Sequence, residues 1–229
     1  MGSLKKLIVV SLTSASLLVG LGTGVFAGSN LKEIQAYLNG DLKVRVNGNV
    51  AQLNDEQGLA IEPITYNGST YLPVRGVANA LKVAVDYDAA NNEVILGEKV
   101  NGTPLNAEKF DEVRYSKEPG QTTYKGKNYQ EVLYQHSDNE PLAPSLFVTP
   151  DKKYQKLYLK LAAIDKDITE IEIKDLDSNA LLKKVDTVSV NDGLKEIEAD
   201  IGGVKTVVIS FHLKSGGGYM VPLIDSYYK

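Results

Sequence analysis

The chain contains no cysteine and no tryptophan, and it has only two histidines among its 229 residues. Without cysteine there is no disulfide, no thiolate metal ligand and no lipid-modified thiol, so stability must come from a core of aliphatic residues and tyrosine. The Gly-x-Ser-x-Gly elbow of serine hydrolases is also missing. The histidines stand alone in the sequence, which favours structural roles, and we place His136 in a loop and His212 in a strand. We expect neither a catalytic centre nor a cofactor.

An excess of positive charge is lacking as well. The chain has 25 Lys and Arg residues against 29 Asp and Glu residues, which gives a formal net charge of −4. A nucleic-acid-binding surface requires a basic stripe, and an anionic bilayer attracts basic segments. We therefore expect no nucleic-acid partner and no adsorption to a membrane surface.

The first 27 residues have the order of features of a secretory signal peptide. Lys5 and Lys6 precede an apolar run over residues 7–21, and Val25-Phe26-Ala27 ends in a small residue suited to cleavage. The run is shorter than the roughly 20 residues that a transmembrane helix needs, and serine and threonine interrupt it. The sequence predicts a secreted protein, extracellular or associated with the cell wall, without stable membrane insertion. An exported chain without cysteine favours a bacterial source.

Two Asn-Gly pairs predict tight hairpins in the first half of the chain. Asn47-Gly48 lies within residues 42–53 and Asn67-Gly68 within residues 64–72. The type I′ turn of a two-residue hairpin needs positive φ at both positions, which these residues tolerate. The second turn pairs Ile64 with Tyr71, and the two hairpins together predict an antiparallel sheet.

After Pro73 the apolar residues adopt the i, i+3, i+4, i+7 spacing of one buried helix stripe. Strand alternation returns over residues 83–87 and again over residues 94–96. Residues 30–98 are therefore predicted to form an α+β module of antiparallel hairpins and one helix. The predicted stripe consists of Val74, Val77, Ala78 and Leu81.

Short motifs of this module resemble the copper amine oxidase N-terminal domain. The family usually has Gly after the helix and an aromatic residue, often Trp, before the second Asp of the last hairpin, where this chain has Lys82 and Tyr87. The resemblance implies a small stalk module found on exported bacterial proteins, without catalytic residues. The motifs are Val46-Asn47-Gly48, residues 67–75, Ala80-Leu81, Val85-Asp86-Tyr87-Asp88 and Val94-Ile95-Leu96.

Oxidase activity itself is excluded by two absences. A copper site built on three imidazole ligands needs one histidine more than the chain has. The cofactor-forming pattern Thr-x-x-Asn-Tyr-Asp/Glu is also missing, because Asn128-Tyr129 is followed by Gln130.

The second half reads as a linker followed by an all-β domain. Residues 99–121 are rich in Asn, Gly, Pro and charge, and we predict a linker there with a short helix over 107–113. Beyond it, eight apolar segments separated by turns predict a β-sandwich over 122–229. Those segments are 129–134, 146–148, 157–163, 168–173, 185–190, 197–201, 204–213 and 219–224.

This half is similar to the carbohydrate-binding modules of the NPCBM type. That similarity implies a jelly-roll-like, all-β fold and a carbohydrate ligand. It is carried by turn and core motifs rather than by site residues. The motifs are Gly126-Lys127-Asn128-Tyr129, Tyr154-Gln155-Lys156-Leu157, residues 203–207 and residues 219–224.

Two polar or glycine-rich segments invite a ligand-binding interpretation. Asp175 to Asp186 alternates oxygen-bearing side chains as a calcium loop does, but Ala180 stands where Gly is needed and Asp186 where a bidentate Glu is needed. A polar turn between strands is favoured there, with calcium as the alternative. Gly216-Gly217-Gly218 has predicted strands on both sides, so it indicates a hairpin turn rather than a phosphate-binding loop.

Tyrosine supplies the aromatic surface of the chain, with 13 residues. A tyrosine combines a flat apolar body with a hydrogen-bonding tip, which suits it to stacking on the apolar face of a sugar. Most of the tyrosines are expected to pack inside the sandwich. We select Tyr124 and Tyr134 as candidate ligand-binding residues.

These features together predict a secreted, non-catalytic bacterial cell-surface protein. Its stalk module would present the sandwich to cell-wall polysaccharide or to a surface protein. Two alternatives stay open. One is a purely structural envelope spacer or assembly unit that associates through strand edges. The other, disfavoured by the absences above, is a hydrolase of wall polymers acting through paired carboxylates.

Overall fold

The computed structural model describes residues 32–55, 57–99 and 101–229. The predicted signal peptide therefore lies outside the described residues, as do the first two residues of the predicted module. Within the described ranges, no helix has the length and apolar character needed to cross a membrane. The described chain consists of an α+β module followed by a β-sandwich, as predicted.

The N-terminal module contains short antiparallel strands and one helix. The elements are β1 Tyr37–Leu38, β2 Val44–Val46, β3 Asn49–Ala51, β4 Ile64–Tyr66, β5 Ser69–Tyr71, α1 Val74–Leu81, β6 Val85–Asp88 and β7 Glu93–Leu96. Strands β1, β4 and β5 form a three-stranded sheet in the order β1-β4-β5, while β2-β3 and β6-β7 are separate hairpins.

Both predicted Asn-Gly hairpins are confirmed. Asn47 and Gly48 have φ angles of 48° and 83°, and Asn67 and Gly68 have φ angles of 47° and 74°, as a type I′ turn requires. Ile64 lies opposite Tyr71, which is the predicted register. Local turn chemistry is sufficient to fix these pairings.

Helix α1 exists as predicted, but its buried stripe matches the predicted one only in part. Ala78 is buried and Val77 half-buried, as predicted, whereas Val74 and Leu81 are exposed and Gly76 is buried in their place. The helix turns its small residues inward because it packs close to the chain at Leu53: a Cβ placed on Gly76 would lie 2.9 Å from the Leu53 Cβ. A larger side chain at position 76 would push the helix away.

The sandwich consists of a large seven-stranded sheet and a smaller four-stranded sheet. The large-sheet strands are β8 Thr103–Pro104, β9 Tyr115–Ser116, β12 Val132–Ser137, β14 Lys156–Ile164, β17 Lys195–Asp200, β19 Gly217–Pro222 and β20 Tyr227–Tyr228. They run in the order β8-β20-β14-β19-β12-β9, and β17 pairs with the edge of β14 opposite β20. The small-sheet strands are β13 Ser145–Val148, β15 Ile168–Asp175, β16 Leu181–Val185 and β18 Val207–Leu213, in the order β13-β18-β15-β16. A separate hairpin is formed by β10 Thr123–Tyr124 and β11 Lys127–Asn128, which follows the short helix α2 Pro119–Thr122.

The core lies between the two sheets and follows strand alternation. In β14, Leu157, Leu159 and Leu161 are fully buried, and the residues between them point to the outer face. Phe211 of the small sheet stacks on Tyr219 of the large sheet, with ring centroids 4.3 Å apart. Aromatic and aliphatic burial thus replaces the missing disulfides.

The segment predicted as a linker belongs in large part to the sandwich. β8 pairs with β20, β9 pairs with β12, and Leu105 between them is buried. The expected helix over 107–113 is absent from these described residues, where a 3₁₀ turn over Leu105–Ala107 is found instead. Two-residue strands carry too little alternation to be recognised in a sequence.

Two further expectations need correction. The strand predicted at 185–190 is β16, Leu181–Val185, an edge strand whose mostly exposed side chains lack a clear apolar alternation. Of the three consecutive glycines, only Gly216 lies in the turn, while Gly217 and Gly218 begin β19.

The segment starting at Asp175 is the polar turn favoured from the sequence, and it joins β15 to β16. The Asp175 carboxylate accepts hydrogen bonds there from the backbone N–H of Asp177 and the hydroxyl of Ser178.

The module and the sandwich are joined directly at residues 82–85. The Ala84 N–H donates to Oε1 of Gln155 at 3.0 Å, and the Val85 N–H donates to the carbonyl of Lys152 at 3.1 Å. Gly202 permits this close approach, since a Cβ at that position would collide with the carbonyl oxygen of Lys82. Three of the four hydrogen-bonding groups are backbone atoms, and the fourth is the Gln155 side chain, so the contact is specific in geometry.

Candidate functional site

The outer face of the large sheet carries a second, smaller apolar cluster that the core does not use. Three adjacent strands place Ala162, Met220 and Tyr134 in one cross-strand row, and the next row is Ile164, Gly218 and His136. Small and apolar residues on β14 and β19 therefore form a floor, and Tyr134 and His136 stand along one side of it.

The β10-β11 hairpin forms the wall of this site. Its turn residues, Lys125 and Gly126, have φ angles of 47° and 81°, so the strands close tightly and Tyr124 lies opposite Lys127. Tyr124 packs against the cluster formed by Val132, Ala162 and Met220. Its hydroxyl oxygen is buried and has no hydrogen-bond partner among the described residues.

A charged group borders the floor. His136 lies between two carboxylates: Nδ1 is 2.9 Å from Oδ1 of Asp138, and Nε2 is 3.1 Å from Oδ2 of Asp165. An imidazolium can donate to both carboxylates, whereas a neutral imidazole can donate to only one. Gly218 leaves room for this arrangement, because a Cβ there would lie 3.0 Å from Cδ2 of the His136 ring and would collide with the Gln135 carbonyl.

A cavity of about 340 Å³ opens between the hairpin and the floor, and we call it the outer-face pocket. Both tyrosines selected from the sequence, Tyr124 and Tyr134, line it. Burial, reinforced by the carboxylates of Asp165 and Asp138, raises the pKa of Tyr134, so its phenol remains a hydrogen-bond donor near neutral pH. The polar groups that line the pocket beside the tyrosines are Gln121, Thr123, Lys125 and Asp165.

Several other tyrosines of the sandwich have their ring faces occupied. Tyr154 stacks on Tyr228, with ring centroids 4.7 Å apart, and the Lys99 ammonium lies 4.3 Å from the Tyr154 ring centroid. Tyr158 stacks on Tyr227 at 4.9 Å. Within the part of the chain that the structure describes, neither a ring nor a cation is stacked on Tyr134. The other pocket tyrosine, Tyr124, has the Lys125 ammonium 5.5 Å from its ring centroid.

Sequence reasoning missed two residues of this site. His136 was expected in a loop, but it lies on β12 with its side chain directed to the outer face, while His212 lies on a strand as expected. Asp165 reaches His136 from the other side of β19, which no local pattern reveals. The one sequence signal was Gly217-Gly218, since glycine inside a strand indicates close approach of another group.

No metal centre accompanies the site: across residues 32–55, 57–99 and 101–229, no three His, Cys, Asp or Glu side chains are grouped so that they could hold an ion. Chemically, the outer-face pocket offers an apolar floor, two tyrosine side chains, and hydrogen-bond donors and acceptors at its edge. These are the elements of a small binding site.

Fold and site together define a two-part protein, an α+β module carrying a β-sandwich with an aromatic-lined surface pocket. Residues 14–96 match the family model of the copper amine oxidase N-terminal domain, which confirms the resemblance predicted for the first part. No curated protein matches the chain.

Solved structures similar to this chain include two proteins crystallised with oligosaccharides. One is TmCBM61 in complex with β-1,4-galactotriose, at 14% identity and a TM-score of 0.35, covering 57% of this chain and 86% of that one. The other is a glycoside hydrolase family 43 arabinoxylan arabinofuranohydrolase from Bacillus subtilis with cellotetraose, at 14% identity and a TM-score of 0.31, covering 63% of this chain and 32% of that one. Both scores are low, so the fold description rests on the strand pairings given above.

Proposed function

We propose that this chain is a secreted, non-catalytic bacterial cell-surface protein whose sandwich binds cell-wall polysaccharide in the outer-face pocket. The observation that carries the proposal is the meeting of Tyr124 and Tyr134 at one cavity. The N-terminal module serves as a stalk that holds the sandwich in a fixed orientation.

The chemistry of the pocket suits a sugar ring. A pyranose has an apolar face of C–H groups and a rim of hydroxyls, so it is bound by an aromatic face together with polar groups at the edge. Tyr134 offers the ring, and its protonated hydroxyl can donate to a sugar oxygen. Asp165 can accept from a sugar hydroxyl, and Lys125 and Gln121 lie at the same rim.

The charged groups of the site favour binding over hydrolysis. A glycosidase needs two carboxyl groups that face the scissile bond from fixed positions. Here the carboxylates of Asp138 and Asp165 lie 2.9 and 3.1 Å from the two ring nitrogens of His136, so both are directed towards the imidazole. We accordingly assign the chain no enzymatic activity, and its mechanism is surface complementarity.

A sedimentation assay on purified peptidoglycan and a panel of insoluble polysaccharides tests this function. The expected result is depletion of the protein by at least one polymer, with retention reduced by Tyr134→Ala and by Tyr124→Ala. Tyr37→Ala is the matched control, because Tyr37 is a highly exposed tyrosine on the other module. Equal retention of all three variants, or no retention on any polymer, would contradict the proposal.

The second candidate function is protein association, either with a surface protein or as an assembly unit. The observation that favours it lies in the N-terminal module. In the β1-β4-β5 sheet one cross-strand row consists of Leu38, Ile64 and Tyr71, which are 72%, 39% and 51% exposed. Exposed apolar rows beside open strand edges favour association, here with a second copy of the chain. Light scattering of the protein and of Leu38→Ser separates the two candidates: a dimer that the substitution dissociates supports assembly, and a monomer at all concentrations opposes it.

A further inference from the structure

A second cavity lies where the N-terminal module meets the sandwich, and its lining is strongly basic. It has a volume of about 320 Å³ and is lined by helix α1, by the turn after β13 and by the turn before β18. We call it the joint cavity. Its charged lining residues are Arg75, Lys152, Lys153, Lys205 and Asp151.

Among the described residues, two of the lysines that line the joint cavity have no carboxylate partner. Asp151 supplies the carboxylate among the described lining residues, and its Oδ2 lies 3.5 Å from Nζ of Lys153. Within the described part of the chain, Lys152 and Lys205 form no ion pair. Like charges in one cavity repel one another. An anion would offset this repulsion.

The turn that carries two of these lysines is held in an unusual backbone conformation. Asp151 and Lys152 are consecutive residues with φ angles of 51° and 63°. Their N–H groups donate to the carbonyls of Lys205 and Val204 at 3.0 and 2.9 Å, which fixes the turn against the Lys205 loop. Non-glycine residues with positive φ concentrate at ligand-binding positions, since the strain persists only where surrounding contacts hold it.

An amide in the same cavity lacks a partner. The side-chain oxygen of Asn79, on helix α1, is buried and accepts no hydrogen bond from any described residue. The oxygen and nitrogen of an amide can exchange places by a rotation of the side chain, and the rotated amide would place an N–H donor group where the unpartnered oxygen now lies. Gln57 provides a second amide at this cavity. Amide groups of the N-terminal module and lysines of the sandwich thus line the same cavity.

From this geometry we infer that the joint cavity is a binding site for a phosphate group, either free or as a monoester. A dianion matches a site with several cations, one carboxylate and neutral amide donors. Because the carbonyl of Lys152 also accepts the Val85 N–H, the bound anion lies at the hydrogen bond that joins the two parts. The site is separate from the outer-face pocket and does not depend on polysaccharide binding.

An NMR titration of the protein with inorganic phosphate, at constant ionic strength maintained with chloride, tests this inference. Glycerol phosphate serves as the monoester and acetate as a monovalent oxyanion. The test variant is Lys152→Gln with Lys205→Gln. The control is Lys43→Gln with Lys183→Gln, which removes the same charge at exposed positions, one in each part of the protein.

The expected result is saturable shifts of the amides of residues 151–153 and 205 with phosphate, and weaker binding of acetate. The test variant should bind phosphate about tenfold more weakly or worse, because it removes two charged hydrogen-bond donors, while the control should match the wild type. Equal affinity for phosphate and its monoester would show that the group alone is recognised, and tighter monoester binding would place the attached alcohol in the site. Shifts that stay linear with concentration, or that the test variant retains, would overturn the inference.

Discussion

The backbone N–H of Ala84 and the side-chain oxygen of Gln155 form a hydrogen bond of 3.0 Å between the two parts of this protein. Ala84 is buried, at 1% exposure, so its donor has no access to water once the parts are docked. The same Gln155 side chain donates through Nε2 to Asp200 at 2.7 Å, which fixes the orientation of the amide. The stalk and the sandwich thus meet in one defined geometry, and the joint can be tested directly.

Replacing Gln155 with Ala removes the acceptor and leaves the Ala84 N–H unsatisfied. We expect the free energy of unfolding to fall by about 1–3 kcal/mol, the cost of an unpaired buried donor. Urea denaturation followed by circular dichroism measures this change. Gln52→Ala, at an exposed position of the module, should change stability by less than about 0.5 kcal/mol. A loss of equal size in both variants would show that the joint hydrogen bond is unimportant.

A steric substitution tests the same joint from the other side. In Gly202→Ala the new methyl group would collide with the Lys82 carbonyl, so the two parts must separate or the chain must shift. Overpacking of this kind costs about 1–3 kcal/mol. Gly120→Ala is the matched control, because nothing lies within 4 Å of the Cβ position there. Faster proteolysis between the two parts in Gly202→Ala, but not in the control, is the expected observation.

The boundary of the sandwich gives a third prediction. A fragment covering residues 101–229 retains β8, β9 and buried Leu105, whereas a fragment covering 122–229 loses all three. The longer fragment should melt cooperatively. The shorter one should lack a cooperative transition, because two strands of the large sheet lose their partners and core leucines lose a neighbour. A cooperative melt of the shorter fragment at the same temperature would contradict the assignment of 101–121 to the sandwich.

Alkaline pH should weaken the sandwich through Tyr219. Burial raises the pKa of this phenol to about 12 in the folded state, above the value of about 10 expected for the unfolded chain. A raised pKa favours the protonated, folded form, so its contribution is fully present below pH 10 and is lost as the pH rises towards 12. The loss amounts to about 3 kcal/mol at most.

Tyr219→Phe keeps the ring that stacks on Phe211 but removes the titrating group. Its free energy of unfolding, measured by urea denaturation between pH 8 and pH 12, should therefore fall less steeply than that of the wild type. Parallel curves for the two proteins would assign alkaline destabilisation to other groups.

The parts of the fold that could be predicted from sequence are those set by local chemistry. Asn47-Gly48 and Asn67-Gly68 determine their hairpins because few other residues adopt positive φ at both turn positions. Strand alternation likewise located most of the sandwich. β8 and β9 could not be predicted, because a two-residue strand is defined by its pairing with a strand elsewhere in the chain. Thr103 of β8, for example, pairs with Tyr228.

The site illustrates the same distinction. Tyr124 and Tyr134 were selected for their chemistry, and the structure places them at one pocket, although their role in binding stays a prediction. His136 and Asp165 meet across β19, whose register places Gly218 between the strands that carry them. Such a juxtaposition depends on the pairing of Gly218 with His136 and with Ile164, which lie 82 and 54 positions away along the chain, so no sequence window contains it.

The most direct test of the central proposal is to map where a sugar binds. Soluble oligosaccharides released from whichever polymer retains the protein would be titrated into isotope-labelled protein, and amide shifts followed by NMR. The proposal predicts saturable shifts at residues 123–125, 134–136 and 163–165, with affinity at least about tenfold lower in Tyr134→Ala, as for other central aromatic contacts. Shifts confined to the N-terminal module or to the joint cavity, with unchanged affinity in Tyr134→Ala, would contradict it.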